Sequence, residues 1–173
     1  LSWQRPVSAR YVAGWCVCAL IGGALIWRPH LWVTGPKGSG KTLTMSQLIR
    51  PVLGENCRFF LASTTEAGIR QTLKRDSLPV VFDEAEGEDQ RARDRVQNIL
   101  ALVRQSSSDT QGTIAKGTPS GDANTYDIRS CFSFSSINAS LMQASDQSRV
   151  TVCEMTKHHS TSLETLETAI FNL

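Results

Sequence analysis

The residues Gly35-Pro36-Lys37-Gly38-Ser39-Gly40-Lys41-Thr42 match the pattern G-x-x-x-x-G-K-[ST] at every fixed position. The two outer glycines let the backbone curl so that several N–H groups point inward at a phosphate chain. In such loops the lysine reaches the β- and γ-phosphates, and the hydroxyl of the next residue is a magnesium ligand. The stretch therefore predicts that all eight residues bind ATP or another nucleoside triphosphate, with Lys41 also acting in catalysis and Thr42 binding Mg²⁺.

The residues on either side of this loop have the context that the motif requires. The run 31–34 (LWVT) is short and apolar like a strand, and residues 43–50 have helical spacing that we expect to stop at Pro51. A strand, a loop and a helix in this order favour a phosphate loop over the alternative, a glycine-rich turn between two elements.

Length and composition are those of an ordinary single domain. The chain has 173 residues, of which 40% are hydrophobic and 20% charged. The formal net charge of +2 gives no overall signature of nucleic-acid binding, so any DNA contact must come from a local patch. The five cysteines form no C-x-x-C pair and show no metal-ligand spacing. We therefore expect them to be reduced and buried in a cytoplasmic protein.

An apolar stretch near the start of the chain, residues 12–26, raises the question of a membrane segment. It has only about half to two-thirds of the length of a membrane span, and Gly14, Gly22 and Gly23 interrupt it. No small-residue cleavage site of a signal peptide follows it. We expect a helix packed beside the main sheet, and no membrane contact.

Strands and helices alternate along the rest of the chain. Further apolar runs lie at 58–62, 78–82, 131–137 and 149–155, and helical stretches lie at 66–74, 89–105 and near 140–147. This alternation predicts a parallel α/β sheet, in which ligands bind at the carboxyl ends of the strands. The stretch 106–124 is rich in Gly, Ser and Thr and predicts a loop or hairpin.

The third apolar run ends in two acidic residues, Asp83 and Glu84. Beside a phosphate loop this is a Walker B pattern, in which Asp83 holds Mg²⁺ through a water or through Thr42. Glu84 would orient and deprotonate the attacking water. The alternative is a solvated acidic loop, because Glu86 and Glu88 follow closely.

Two further polar residues stand at strand ends. Asn138 follows the fourth strand, where an amide can hold the attacking water or sense the γ-phosphate; alternatively, it caps a turn. Arg149 precedes the fifth strand, and in a ring of subunits it would reach the neighbour's γ-phosphate as an arginine finger. Arg129 and Arg104 are rival fingers, and pairing of Arg149 with Asp146 is the structural alternative.

Together these residues resemble the AAA+ ATPase core, and within it the superfamily 3 helicases, especially the helicase part of phage and prophage primase–helicases. The resemblance covers nearly the whole chain. It implies a five-stranded parallel sheet of order 5-1-4-3-2 in an ATPase core, which we place at 31–173 after a helical lead-in at 1–30. Residues 156–173 leave room for about one further helix, so we expect the lid domain to be largely absent, in departure from the family. The runs 27–32 and 64–71 also look like those proteins, without a chemical role that the residues themselves reveal.

The run 112–122 lies where superfamily 3 helicases carry a β-hairpin before the sensor-1 strand. The basic tip of that hairpin grips single-stranded DNA in the ring channel, and Lys116 matches it. A lysine suits tracking because it contacts phosphates without reading bases, although an ordinary polar hairpin is the alternative. The resemblance further implies a homo-oligomeric ring, expected to be a hexamer, a primase domain in the same or a partner chain, and the host cytoplasm as location.

Two other classes of function stay open. One is an AAA+ loader or scaffold that binds ATP to assemble on DNA without unwinding it, although the Asp83-Glu84 pair favours turnover. The other is a small-molecule kinase, which shares the phosphate-loop pattern. Its best support is the arginine-rich helix around Arg91, but the acidic neighbours Asp89 and Asp94 favour a solvated, charge-paired helix face.

Overall fold

The computed structural model describes residues 1–61, 63–83, 85, 89–108, 114–117 and 123–157. These residues contain the following strands: β1 (His30–Thr34), β2 (Arg58–Phe60), β3 (Val80–Phe82), β4 (Ile114–Gly117), β5 (Ala123–Tyr126), β6 (Phe132–Ser136) and β7 (Val150–Glu154). Five of them form one parallel sheet in the order β2-β3-β6-β1-β7. Read from the β7 edge and without β4 and β5, this is the order 5-1-4-3-2 that the family resemblance implied.

The helices are α1 (Ser8–Leu20), α2 (Lys41–Leu43), α3 (Arg50–Leu53), α4 (Glu66–Leu73), α5 (Gln90–Ser106) and α6 (Ala144–Gln147). A π-helical turn over Thr44–Ile49 joins α2 to α3. The expectation that this helix stops at Pro51 is wrong, because α3 continues to Leu53. Pro51 comes two residues after the π-helical turn, where the regular hydrogen-bond pattern of the α-helix is already interrupted, and the helix continues although proline lacks a backbone N–H.

Side-chain caps explain where two helices begin. The Thr65 hydroxyl accepts a hydrogen bond from Gly68 N at 3.2 Å, and the Asp89 carboxylate accepts one from Ala92 N at 2.7 Å. Each cap satisfies a backbone N–H that has no partner within the helix. Thr65, within the run 64–71 that resembles phage proteins, therefore starts a helix.

The hydrophobic core has two layers, one on each face of the sheet. Trp32, Phe82 and Phe134 pack on one face with residues of α4 and α5, and the Trp32 and Phe134 rings stack at 4.9 Å. Leu31 and Val33 point to the other face, which α1 and the helical segment after the phosphate loop cover. Because successive residues of a strand alternate between faces, this arrangement also determines which polar residues share a face.

Helix α1 packs on the core as expected, but only along one side. Val12, Trp15 and Ala19 are buried, whereas Val17 and Leu20 are exposed on the outer side. Within the described ranges, no helix is both long and apolar enough to span a bilayer. The described cysteines are free thiols and four of the five are buried; burial raises the pKa of the Cys57 and Cys131 thiols to about 12.

Strands β4 and β5 form the predicted hairpin between α5 and β6. They pair in antiparallel fashion, with Lys116 opposite Asn124. Lys116 is the third residue of β4, so its backbone lies in a strand and not in the connection, residues 118–122, which is outside the described residues.

The run 27–32 has a structural role that the sequence did not reveal. Arg28 is fully buried, and its guanidinium donates to the carbonyl oxygens of Ser106 and Leu25. His30 accepts a hydrogen bond from Phe132 N at Nδ1, and its Nε2 lies 3.1 Å from the Ser107 hydroxyl. Arg28 and His30 therefore tie the start of β1 to the end of α5 and to β6.

Candidate nucleotide-binding site

The phosphate loop, residues 35–42, leaves the carboxyl end of β1, and its glycines take conformations that other residues avoid. Gly38 and Gly40 have φ values of +80° and +95°. At Gly35, with φ of +152°, an added Cβ would lie 2.6 Å from the carbonyl oxygen of Met155. The loop therefore needs Gly35 because it passes directly against the residue that follows β7.

The polar groups of this loop suit a phosphate chain. Lys41 Nζ folds back to donate to the carbonyl oxygens of Gly35 at 2.5 Å and Pro36 at 3.2 Å. Ser39 Oγ is buried and has no hydrogen-bond partner among the residues that the structure describes, which is costly for a hydroxyl unless a ligand oxygen satisfies it. Thr42 is exposed at the start of the helix. The curled backbone, the ammonium group and the unpartnered hydroxyl together fit a polyphosphate.

Asp83 lies just past the end of β3, on the same edge of the sheet. Strand β6 is between β3 and β1, so Asp83 and the phosphate loop flank it. Asp83 is two residues after Val81, which packs on the face covered by the phosphate-loop helix. The Ser135 hydroxyl of β6 donates a hydrogen bond to the Asp83 carboxylate. Glu84, the predicted base, lies outside the described residues.

Asn138 follows β6 and is exposed at this edge. The β6 residue Ser136 pairs with Thr34, directly before the phosphate loop. Ser136 Oγ accepts from Trp32 Nε1 at 2.6 Å and donates to the carbonyl oxygen of Asn138 at 2.6 Å. Because β1 and β6 are neighbours, the polar residue after β6 emerges beside the loop after β1.

Arg149 lies at the opposite edge of the sheet. The next residue, Val150, pairs with His30 at the start of β1. About four residue steps, or roughly 13 Å, therefore separate that level from the phosphate loop after Thr34. Arg149 Nη1 donates to the Ser145 carbonyl at 2.8 Å, and its guanidinium lies 5.8 Å from the centre of the Trp27 ring. An arginine so placed faces away from its own phosphate loop.

The rival arginines have carboxylate partners. Arg104 pairs with the buried carboxylate of Asp146 at 2.6 Å, so the alternative pairing of Asp146 with Arg149 is not the one observed. Arg129 pairs with Asp127 at 3.2 Å. Neither observation tests the finger role of Arg149, which stays a prediction.

Three features of the site were missed from the sequence: the bond from Ser135 to Asp83, the relay from Trp32 through Ser136, and the approach of Met155 to Gly35. One signal was present. Strand β6 reads Phe-Ser-Phe-Ser-Ser and is buried on both faces, and buried hydroxyls require partners. The identity of those partners depends on strand order.

Known proteins were compared with this chain by sequence and by structure. No protein-family profile and no curated protein matches it. JCV helicase is similar with a TM-score of 0.59 and 15% identity, over 96% of this chain and 47% of that one. The RuvB Holliday junction branch migration motor of Thermotoga maritima is similar with a TM-score of 0.51 and 16% identity, over 92% and 47% of the two chains.

The chain thus spans about half of the length of each of these proteins. At this level of identity the likeness concerns the fold. The fold of this chain comprises the parallel sheet of order β2-β3-β6-β1-β7, with the phosphate loop after β1 and Asp83 after β3. The chain has a parallel α/β P-loop fold similar to the folds of JCV helicase and the RuvB motor.

Proposed function

We propose that this chain is the ATP-dependent motor domain of a DNA helicase of the phage or prophage primase–helicase type. The observation that carries the proposal is the juxtaposition at one sheet edge of the phosphate loop, Asp83 and Asn138, with a β-hairpin inserted directly before β6. The phosphate loop, Asp83 and Asn138 suit nucleotide hydrolysis, and the hairpin suits DNA binding.

The phosphate loop supplies the groups that bind ATP. Its backbone N–H groups, the Ser39 hydroxyl and Lys41 would hold the phosphates, with Lys41 exchanging the carbonyl oxygens of Gly35 and Pro36 for phosphate oxygens. Thr42 and Asp83 are the residues that would hold Mg²⁺. When bound, this ion neutralises charge that develops on the β- and γ-phosphates.

Hydrolysis further needs a base, a group that positions water and a cation. Glu84 follows Asp83 and takes the proton of the attacking water, while Asn138 orients that water. Arg149 faces away from its own loop, so it acts on the nucleotide of a neighbouring subunit, where it stabilises transition-state charge. The site is therefore shared between identical subunits in a ring, which we propose to be a hexamer.

The hairpin of β4 and β5 connects this chemistry to single-stranded DNA. Lys116 contacts backbone phosphates in the ring channel without regard to sequence, as translocation requires. We further propose that a primase domain, in the same or a partner chain, accompanies this motor domain. The proposed location is the host cytoplasm.

The proposal is tested by ATP hydrolysis of the full-length protein with and without single-stranded DNA, together with its mass in solution and a strand-displacement assay. DNA-stimulated turnover by a ring-sized oligomer that separates strands is the expected result. ATP-dependent DNA binding without strand displacement would replace the helicase by a loader. DNA-independent turnover by a monomer would favour a small-molecule kinase and would overturn the motor proposal.

A further inference from the structure

Ser135 of β6 forms hydrogen bonds with the residues before and after Glu84 in the sequence. Its hydroxyl donates to Oδ1 of Asp83, and its carbonyl oxygen accepts from Ala85 N at 2.7 Å. The side chain is 2% exposed, so the hydroxyl is shielded from bulk water. One residue of the central strand thus anchors the end of β3 on both sides of the predicted base.

We propose that Ser135 is a positioning residue of the metal–nucleotide site, acting through Asp83. This inference rests on the proposed function. A carboxylate at a strand end rotates about two side-chain bonds, and a hydrogen bond from a buried hydroxyl holds it in one orientation. Outer partners of this kind orient metal-binding carboxylates and improve metal affinity.

The register of the sheet places Ser135 where such a role is useful. Ser135 pairs with Val33 of β1, which comes two residues before Gly35. On its other side, strand β6 is paired with β3. The hydroxyl therefore lies between the strand that carries the phosphate loop and the strand that carries Asp83. Thr42 and Asp83, the residues that would hold the ion, follow these same two strands in the chain.

Ser133 provides a matched control on the same strand. It is also buried and shares a face with Ser135, since the two are two positions apart along the strand. Its hydroxyl lies 4.0 Å from the Met45 sulfur, a weak acceptor, and not beside a carboxylate. Removal of either hydroxyl changes the packing of β6 similarly, but only removal at Ser135 releases Asp83.

The test measures binding of a fluorescent ATP analogue to the full-length protein while Mg²⁺ is titrated, and again in EDTA. The variants are Ser135→Ala, Ser135→Cys and Ser133→Ala, each checked for folding by its thermal midpoint. Ser135→Cys nearly keeps the side-chain volume and supplies only a weak donor, so it remains informative if the alanine variant folds poorly. Because no hydrolysis is required, the readout is independent of catalysis.

We expect both Ser135 variants to need about ten- to hundredfold more Mg²⁺ for half-maximal binding, because a hydrogen bond that orients a metal-binding carboxylate is lost. Their affinity in EDTA stays within about twofold of the wild type, and Ser133→Ala behaves as the wild type. An unchanged Mg²⁺ requirement in the Ser135 variants, or an equal shift in Ser133→Ala, would overturn the inference alone. Absence of nucleotide binding by the wild type would overturn the proposed function and the inference with it.

Discussion

Acidification should destabilise the protein through His30, which the fold keeps neutral. Burial, together with the positive charges of Arg28 and Arg149, lowers the pKa of His30 to about 3. The hydrogen bonds agree, because Phe132 N–H donates to Nδ1 and the ring proton must then lie on Nε2, facing Ser107 Oγ. A second proton on Nδ1 would place two donors against each other.

The sign follows from proton uptake in the two states. The unfolded histidine titrates near its ordinary pKa of 6.5, whereas the folded one stays neutral down to about 3. Between these values the unfolded state binds more protons, so the free energy of unfolding rises with pH. The contribution of His30 to the free energy of unfolding is therefore complete above pH ~6.5, and it decreases as the pH falls below that value. At pH 5 the loss amounts to about 2 kcal/mol, a sizeable share of the stability of a domain.

Urea unfolding at several pH values between 5 and 7.5 measures this loss. The control is His30→Gln, whose side chain can accept from Phe132 N–H and does not titrate. Every other ionisable group is present in both proteins, so the difference between the two pH dependences isolates His30, even if the variant is less stable throughout. Parallel pH dependences for the two proteins would refute the assignment of a buried, neutral His30.

Three substitutions test the proposed site. Lys41→Ala should abolish nucleotide binding, because Lys41 Nζ is the ammonium group that bonds within the phosphate loop; nucleotide affinity equal to that of the wild type would contradict the loop's role. Glu84→Gln should retain nucleotide binding and lower the rate constant of ATP hydrolysis by about 10²–10⁴-fold through loss of the base. A rate constant equal to that of the wild type in single-turnover kinetics would place the base elsewhere. Lys116→Ala should leave the basal ATPase rate unchanged and remove its stimulation by single-stranded DNA, and persistence of that stimulation would exclude this lysine as the DNA contact.

Features that depend on neighbours in sequence were predicted well. The phosphate loop, the strand before it and the acidic residues after β3 all follow from residue type and spacing. The bounds were less accurate. Strand β2 ends at Phe60 instead of residue 62, and the helix after the loop passes Pro51. A π-helical turn comes before this proline and already interrupts the regular hydrogen-bond pattern.

The strand order and the hairpin were predicted by family resemblance, and both are present. The roles of residues 27–32 were not predicted by either route. A buried arginine and a neutral buried histidine look like surface residues in a sequence, since charged and polar side chains are mostly exposed. Their burial is favourable because the fold supplies hydrogen-bond partners from the end of α5, and also from Leu25 for Arg28 and from Phe132 for His30.

The amino-acid sequence by itself determined the chemistry of the phosphate loop, because its glycines, lysine and threonine act through backbone geometry within eight consecutive residues. The tertiary structure alone decided which distant residues meet. It set Ser135 against Asp83, 52 positions away, and it placed Arg149 at the sheet edge opposite its own loop. The physical reason is that such contacts depend on the order and register of parallel strands, which the packing of helices on both faces selects and no local pattern encodes.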